Sequence, residues 1–444
     1  MKKHYRHREP RTPRQRAAHV PIPRLVLIIL AALALATTAA CSSSSSAGSG
    51  GGSSGQVLEF PSFVWHGTDG PDGFIYDAVR VAFQKDNPGV KVDNSLIPFD
   101  NYFTKTYSDM VAGAAPDIAN AYDPQVLQWA HQGLLTPLNP YLRAAGIDVS
   151  KMLSSEQLAI VNGQIYGVLH NSNPRVLVYN SDLFGKAHAT VPTNFEQLKA
   201  AMQALTMPSS RQYALGTVTG NETPDATYLE LMPYIAGFGG AFVTDGHATA
   251  NSPQVVAALD FLKSAVTDGQ APKGQTQDGY RQQLAAGKVA MAMIGAFIIG
   301  TITGQNPSVG KALKITTLPL PSGRTIAVNT FLTIPKGAKH KALAAKFIVQ
   351  SLQAQYQQKI AGAEAVPALP SLVPASVAAA NPIYQTLLEE SKHAVTYAPS
   401  GAPDKLEQVA EIITVNFQQL MTTSESGQAA ANTMQSQLKA LLGS

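Results

Sequence analysis

The chain has one cysteine, Cys41, in 444 residues, so neither an internal disulfide nor a cysteine-built metal cluster can form. Charge is sparse as well, with 14% of residues Asp, Glu, Lys or Arg. The formal net charge of +4 is concentrated at one end: residues 1–40 hold eight basic residues and one acid, leaving 25 basic and 28 acidic residues beyond. That remainder offers no basic footprint for nucleic acid. There is no His-Glu-x-x-His, no Gly-x-Ser-x-Gly and no paired histidine spacing, and the ten histidines are scattered. No metal and no cofactor is therefore expected. Gly304 to Ala312 has the outline of a phosphate loop, but with one residue too many between its glycines and Ala312 where Ser or Thr would hold a metal, so it reads as an ordinary loop. No internal repeat is present.

What is present begins with an address. Lys2, Lys3, Arg6, Arg8, Arg11, Arg14, Arg16 and Arg24 precede the uncharged run Leu25 to Ala40, the layout of a secretory signal (residues 1–40). The run falls short of the roughly 20 residues of a membrane-spanning helix and closes on Ala39-Ala40-Cys41. No adjacent arginine pair occurs, which favours the general export route. Residues 41–55 are almost all Ser and Gly, a random coil with a reach of roughly 20 Å that suits a tether. Thr38-Ala39-Ala40-Cys41 resembles a bacterial lipobox, with Thr38 where Leu is usual. That resemblance implies cleavage before Cys41, lipid on its thiol, and a protein anchored outside the cytoplasmic membrane.

From Gln56 onward 45% apolar composition and regular alternation indicate a globular α/β chain, too long for a single core of about 250–300 residues. Val57 to Phe60 reads as a strand. Ile75, Val79, Ala82 and Phe83 share one helix face that ends at Asn87-Pro88-Gly89, and Val90 to Ile97 reads as a second strand. Phe103, Tyr107, Met110, Val111 and Ala114 mark the next helix, and a third strand starts near Asp117. Such doubly wound openings take ligands beyond the carboxyl ends of their strands, which directs attention to Phe63–Asp72, Pro98–Tyr102 and Ala119–Asp123. Further helices are expected around Phe347 and around Ile413, while Trp129, in an apolar helical setting, is expected in the core. Glu389-Glu390 reads as a solvated helix face.

Several segments together resemble the family 1 extracellular solute-binding proteins, the group that includes maltose-binding protein and many lipoproteins of sugar importers. They are Phe83 to Val92, Ala112 to Ile118, Asn162 to Val168, Val176 to Phe184, Val191 to Leu198, Gly287 to Gly295 and Ala345 to Ile348. The sequence departs from the family where Phe195 replaces a usual Trp, Leu169 a usual Pro, and Val328 to Phe331 a common Gly-Gly pair. The resemblance implies a type II periplasmic-binding-protein-like fold, α/β and two-lobed, with discontinuous lobes joined by hinge strands: residues 56–167 plus 316–365, and 168–315 plus 366–444. Val168–Leu169 and Lys314–Thr316 are the expected hinges. It further implies a monomer that catalyses nothing, captures a small solute, most simply a carbohydrate, and passes it to the permease subunits of an ABC importer. A phosphate ester, polyamine or peptide is the alternative solute. A surface polysaccharide-active enzyme would instead need two carboxylates about 5 to 9.5 Å apart, which Asp69, Asp100 and Asp123 could supply.

A sugar offers apolar C–H faces and a rim of hydroxyls, so its site needs aromatic rings beside amide, carboxylate or guanidinium groups. Trp65, His66 and Asp69 on the first loop fit this. So do Asp100 and Tyr102 at the second helix, and Asn120, Tyr122 and Asp123 after the third strand, although Asp100 and Asp123 are equally good helix caps. Arg175, beside the expected hinge, could meet an acidic group or be a solvated loop charge. In the second lobe Phe238, Gly239 and Gly240 would let backbone approach a ligand, and the resemblance marks Phe297 as a stacking ring. Asn329 and Phe331 complete the set.

Overall fold

The computed structural model describes residues 55–63, 70–153 and 159–443, with the backbone alone for 70–75 and 99–100. The signal, the lipobox and the tether as far as residue 54 lie outside these residues. Among the described residues no helix is long and apolar enough to cross a membrane.

The chain opens with β1 (Gln56–Glu59), α1 (Gly70–Asp86), β2 (Val90–Asp93), α2 (Phe99–Val111), β3 (Ala119–Tyr122), α3 (Asp123–His131), α4 (Asn139–Ala144), β4 (Ile160–Val161), β5 (Gln164–Ile165) and the long β6 (Gly167–Pro174). α1 buries Tyr76, Val79 and Phe83 at helical spacing, and Gly89 (φ 89°) supplies the left-handed turn from which β2 runs parallel to β1. The second strand is shorter than its apolar run suggests, because only Val90–Asp93 pairs continuously with β1.

The middle of the chain forms β7 (Val176–Asn180), α5 (Ser181–Lys186), α6 (Phe195–Leu205), β8 (Tyr213–Gly216), α7 (Pro224–Gly237), β9 (Val243–Thr244), β10 (His247–Ala248), α8 (Pro253–Thr267), α9 (Gln277–Ala285), β11 (Val289–Ile294), α10 (Ile298–Gln305), α11 (Pro307–Ala312), β12 (Leu313–Thr316) and β13 (Thr325–Thr333). Side chains of Asn194, Ser252 and Thr276 accept the orphan amides that start α6, α8 and α9. The remainder is α12 (Lys341–Ser351), α13 (Ala354–Gly362), β14 (Val366–Pro367), α14 (Ala375–Ala380), α15 (Pro382–Ser391), β15 (Ala394–Val395), α16 (Leu406–Thr422) and α17 (Gly427–Leu442).

Two separate cores divide these elements into two lobes. The first gathers Leu58 to Leu169 with Phe331 to Leu369 and encloses Trp129, as its apolar helix suggests. The second covers both faces of the sheet β12-β7-β11-β8, with Leu177 to Met293 and Val395-to-Leu442 helices on one side and Val176, Ile294 and Ile302 on the other. The chain crosses between the cores in β6 and β13, which pair antiparallel from Gly167↔Thr333 to Pro174↔Ala327. Ile326 and Val328 pack in the second core, Phe331 and Leu332 in the first. Lys314–Thr316 lies in β12, paired along β7 inside the second-lobe sheet.

Two local readings change. Gly304 to Ala312 is helical on both sides of Asn306, whose side chain accepts from Val309 N to start α11, and Gly310 lets that helix close on Thr303. Glu390 is not solvated. It is 3% exposed, and burial pushes its carboxyl up to about 7 while Leu318 N donates to it at 3.3 Å. Only its neighbour Glu389 faces outward, paired with Lys392.

Candidate functional site

The first-lobe wall is the carboxyl end of β3. Asn120 is fully buried: its Oδ1 accepts from Tyr76 Oη at 2.7 Å, its Nδ2 donates to Ser62 Oγ at 3.3 Å, and its backbone N donates to Tyr102 Oη at 2.8 Å. Tyr102 in turn donates to Pro61 O and is itself wholly enclosed, its phenol pushed up by burial. These two residues brace α1, α2 and β3 and present no free polar edge. Tyr122 is half-buried, and its ring packs with Phe63 and Phe103 at centroid distances of 5.7 and 5.2 Å. Phe63, at the start of a loop marked in the sequence, and Phe103, which falls on the apolar stripe of α2 and reads as core, thus enclose the Tyr122 ring.

Asp123 is the first residue of α3 but turns away from capping it. Its carboxylate accepts from Asn329 Nδ2 at 2.9 and 3.1 Å, tying β13 to α3. Burial holds the Asp123 carboxyl well above its usual range, opposed by these bonds. Asp100 is the second residue of α2, and its side chain lies outside the described residues, as do Trp65, His66 and Asp69. Phe331 lies deep in the first core, where a Cβ on Gly167 would stand 3.0 Å from its own Cβ. It supports the crossing and does not line a cavity.

Polar atoms accumulate where β6 and β13 cross. Asn173 Nδ2 donates to Asn171 Oδ1 at 2.6 Å, while Ser172 Oγ, Asn173 Oδ1 and Asn329 Oδ1 are buried without a hydrogen-bond partner among the described residues. The register shift between Thr330 and Phe331 leaves His170 as the extra residue of a bulge, stacked on Tyr76 at 4.8 Å, and burial pulls its imidazole down to about 3.

The second-lobe wall is the carboxyl end of β11. Ile294 pairs with Val176, so Arg175 and Gly295 are neighbours at that edge. Arg175 is buried, and burial draws its guanidinium below its usual range, opposed by the charge of Glu230. Glu230 accepts from Tyr280 Oη at 2.8 Å, Gln277 Nε2 at 2.7 Å and Arg281 Nη2 at 3.4 Å. Arg281 lies 5.9 Å from the ring centroid of half-buried Phe297, and the two line a cavity of about 330 Å³ with Asp278 and Gln305. Phe238 instead packs on Phe195 and Phe261, and Gly239 and Gly240 close the end of α7 onto α8, where a Cβ on Gly240 would meet Val255 at 2.8 Å. That trio packs the lobe.

Tyr397 joins the walls. It is buried, its phenol raised first by burial and then by Asp123, with Arg175 opposing. Beside it a cavity of about 630 Å³ opens between Leu127 and His131 of α3 and the segment Thr396 to Asp404. Tyr397 is thus within electrostatic reach of Asp123 at the first-lobe edge and of Arg175 at the second. Among the described residues no group of His, Cys, Asp and Glu could hold a metal.

The model of the bacterial extracellular solute-binding protein family matches residues 78–386. The chain belongs to that family. Members of this solute-binding family are binding proteins of the extracytoplasmic space, not enzymes. The chain is 26% identical over 266 residues to a putative binding protein of Brucella abortus (strain 2308), an alignment covering 58% of this chain and 62% of that relative, less than two thirds of its length. Among solved structures, an ABC transporter solute-binding protein of Thermotoga lettingae bound with α-D-tagatose aligns with TM-score 0.76 at 22% identity, over 87% of this chain and 100% of that one. The GacH receptor of Streptomyces glaucescens, studied unliganded and with acarbose, aligns with TM-score 0.75 at 22% identity, over 87% and 98%. These likenesses establish the two-lobed fold of a solute-binding protein.

Proposed function

We propose that this protein captures a carbohydrate between its lobes and delivers it, chemically unchanged, to the permease of an ABC importer. The observation that carries this reading is the buried polar seam at the β6–β13 crossing between the two cores, where Ser172, Asn173 and Asn329 keep oxygen atoms unpaired among the described residues. An unpaired buried acceptor is unfavourable unless another group completes it, and hydroxyl donors of a sugar are suited to that. Tyr122, Phe63 and Phe297 supply ring faces for its C–H surfaces. Solved neighbours bound with tagatose or acarbose are of the same chemical kind. Trp65, His66, Asp69 and Asp100 are proposed to complete the first-lobe wall, β6 and β13 to serve as the hinge, and Cys41 to carry a lipid that holds the monomer at the outer face of the membrane.

A thermal-shift screen of the purified protein against monosaccharides, sugar alcohols and oligosaccharides, with polyamines and short peptides alongside, tests the reading. A carbohydrate at 100 times its dissociation constant should add about 2.7 kcal/mol to stability and be recovered intact. Stabilisation by a polyamine or peptide alone would overturn it.

A further inference from the structure

The second lobe brings together a buried guanidinium, Arg175, and a partly buried one, Arg281, with Glu230 facing both and Asp278 facing Arg281. Arg175 is 3% exposed, and among the described residues its side chain has no hydrogen-bond acceptor and no carboxylate within salt-bridge reach. Glu230 is the nearby acid, yet its oxygens already accept from Tyr280, Gln277 and Arg281. Arg281 itself keeps a buried Nε without an acceptor. Tyr397 is also within electrostatic reach of Arg175, and itself faces Asp123, whose two oxygens are taken by the Asn329 amide, and Tyr122. Glu230 and Asp278 balance the two arginines in charge, but Arg175 alone lacks a direct acceptor, an unfavourable state for a guanidinium so little exposed.

Its position is that of a ligand group. The Ile294↔Val176 register sets Arg175 at the carboxyl end of β11, the edge at which doubly wound sheets take their ligands. Gly295 leaves room there: a Cβ would stand 3.0 Å from Arg175 Nη1 and 2.8 Å from the Phe297 ring, so any side chain would push the guanidinium and the ring out of place.

We propose that the solute carries an anionic oxygen group, a carboxylate or a phosphate monoester, seated on Arg175 with Arg281 as second cation and Phe297 against its sugar ring. This rests on the carbohydrate-receptor reading and narrows it to acidic carbohydrates. A planar guanidinium matches two oxygens of such a group at once, whereas a neutral hydroxyl completes one donor and leaves the charge uncompensated.

Calorimetric titration of the purified protein with matched pairs decides it: glucose and galactose against glucuronate, galacturonate and the two 6-phosphates. At least one acidic member should bind about 100-fold more tightly than its neutral partner, and the uronate and phosphate arms tell which group is read. Arg175→Gln should erase most of that preference, with Arg175→Lys in between. If Arg175→Gln fails to fold, the preference of the unaltered protein still decides. Neutral members binding as tightly as acidic ones would overturn this inference and leave the carbohydrate reading standing. No binding by any sugar, acidic or neutral, would overturn both.

Discussion

Glu390 and His170 set opposite pH slopes from equally buried positions. Burial raises the Glu390 carboxyl from 4.5 to about 7. A carboxyl raised in the folded state adds stability that is full below about 4.5 and lost as pH climbs through 7. His170 is lowered from 6.5 to about 3, so its contribution is full above 6.5 and lost as pH falls toward 3. Glu390→Gln should keep the acceptor for Leu318 N, flatten the alkaline side of the profile and raise stability above pH 7 by roughly 2 kcal/mol. Denaturant unfolding at a series of pH values measures this, and an unaltered slope between pH 5 and 8 would refute it. Spacing already hinted at the burial, since Glu390 lies three residues beyond fully buried Leu387 on the same helix face, whereas Glu389 is turned outward. At the other end of the chain, Cys41→Ser should move the protein from the membrane to the soluble fraction. Retention on the membrane would mean that the apolar run, not lipid, anchors it.

At the scale of elements, the crossing strands are held by one close approach. Gly167 starts β6, and a Cβ there would stand 3.0 Å from both Phe331 Cβ and Val126 Cγ2, backbone-proximal atoms with little freedom to retreat. Gly167→Ala should therefore destabilise by about 1–3 kcal/mol. Gly185→Ala, in a helix with open space around it, should be neutral or slightly stabilising, and equal losses from both would remove the packing argument. The elements themselves were largely readable. The strand and helix alternation from Val57 to Asp123 shows because side-chain periodicity reports directly which face is buried. The wiring between elements was not. Asp123 meets Asn329 from 206 positions away, and Glu230 gathers Tyr280 from 50 away. No local pattern encodes such pairs, so Arg175 could be noticed as a charge beside a hinge but not as an orphan whose one acidic neighbour is already engaged. Phe331 misled for the same reason: its neighbours in sequence are polar seam residues, while its side chain belongs to the first core.

At the scale of the whole molecule, the proposed capture requires the lobes to act as a two-state device. A ligand can favour the closed arrangement only by touching both walls more completely there than when they part, and Tyr397, in reach of Asp123 and Tyr122 on one wall and Arg175 on the other, marks where it would do so. Both strands of the proposed hinge are fully or nearly fully buried, which favours taking up the backbone change at their ends and at the His170 bulge over melting of the strands. The most direct test is the distance between spin labels on Lys105→Cys of α2 and Lys199→Cys of α6, both exposed positions on opposite lobes, in protein carrying Cys41→Ser. Saturation with a carbohydrate that the screen has identified should shift the distance distribution and narrow it to a single population. An identical distribution with and without that bound carbohydrate would contradict capture by closure.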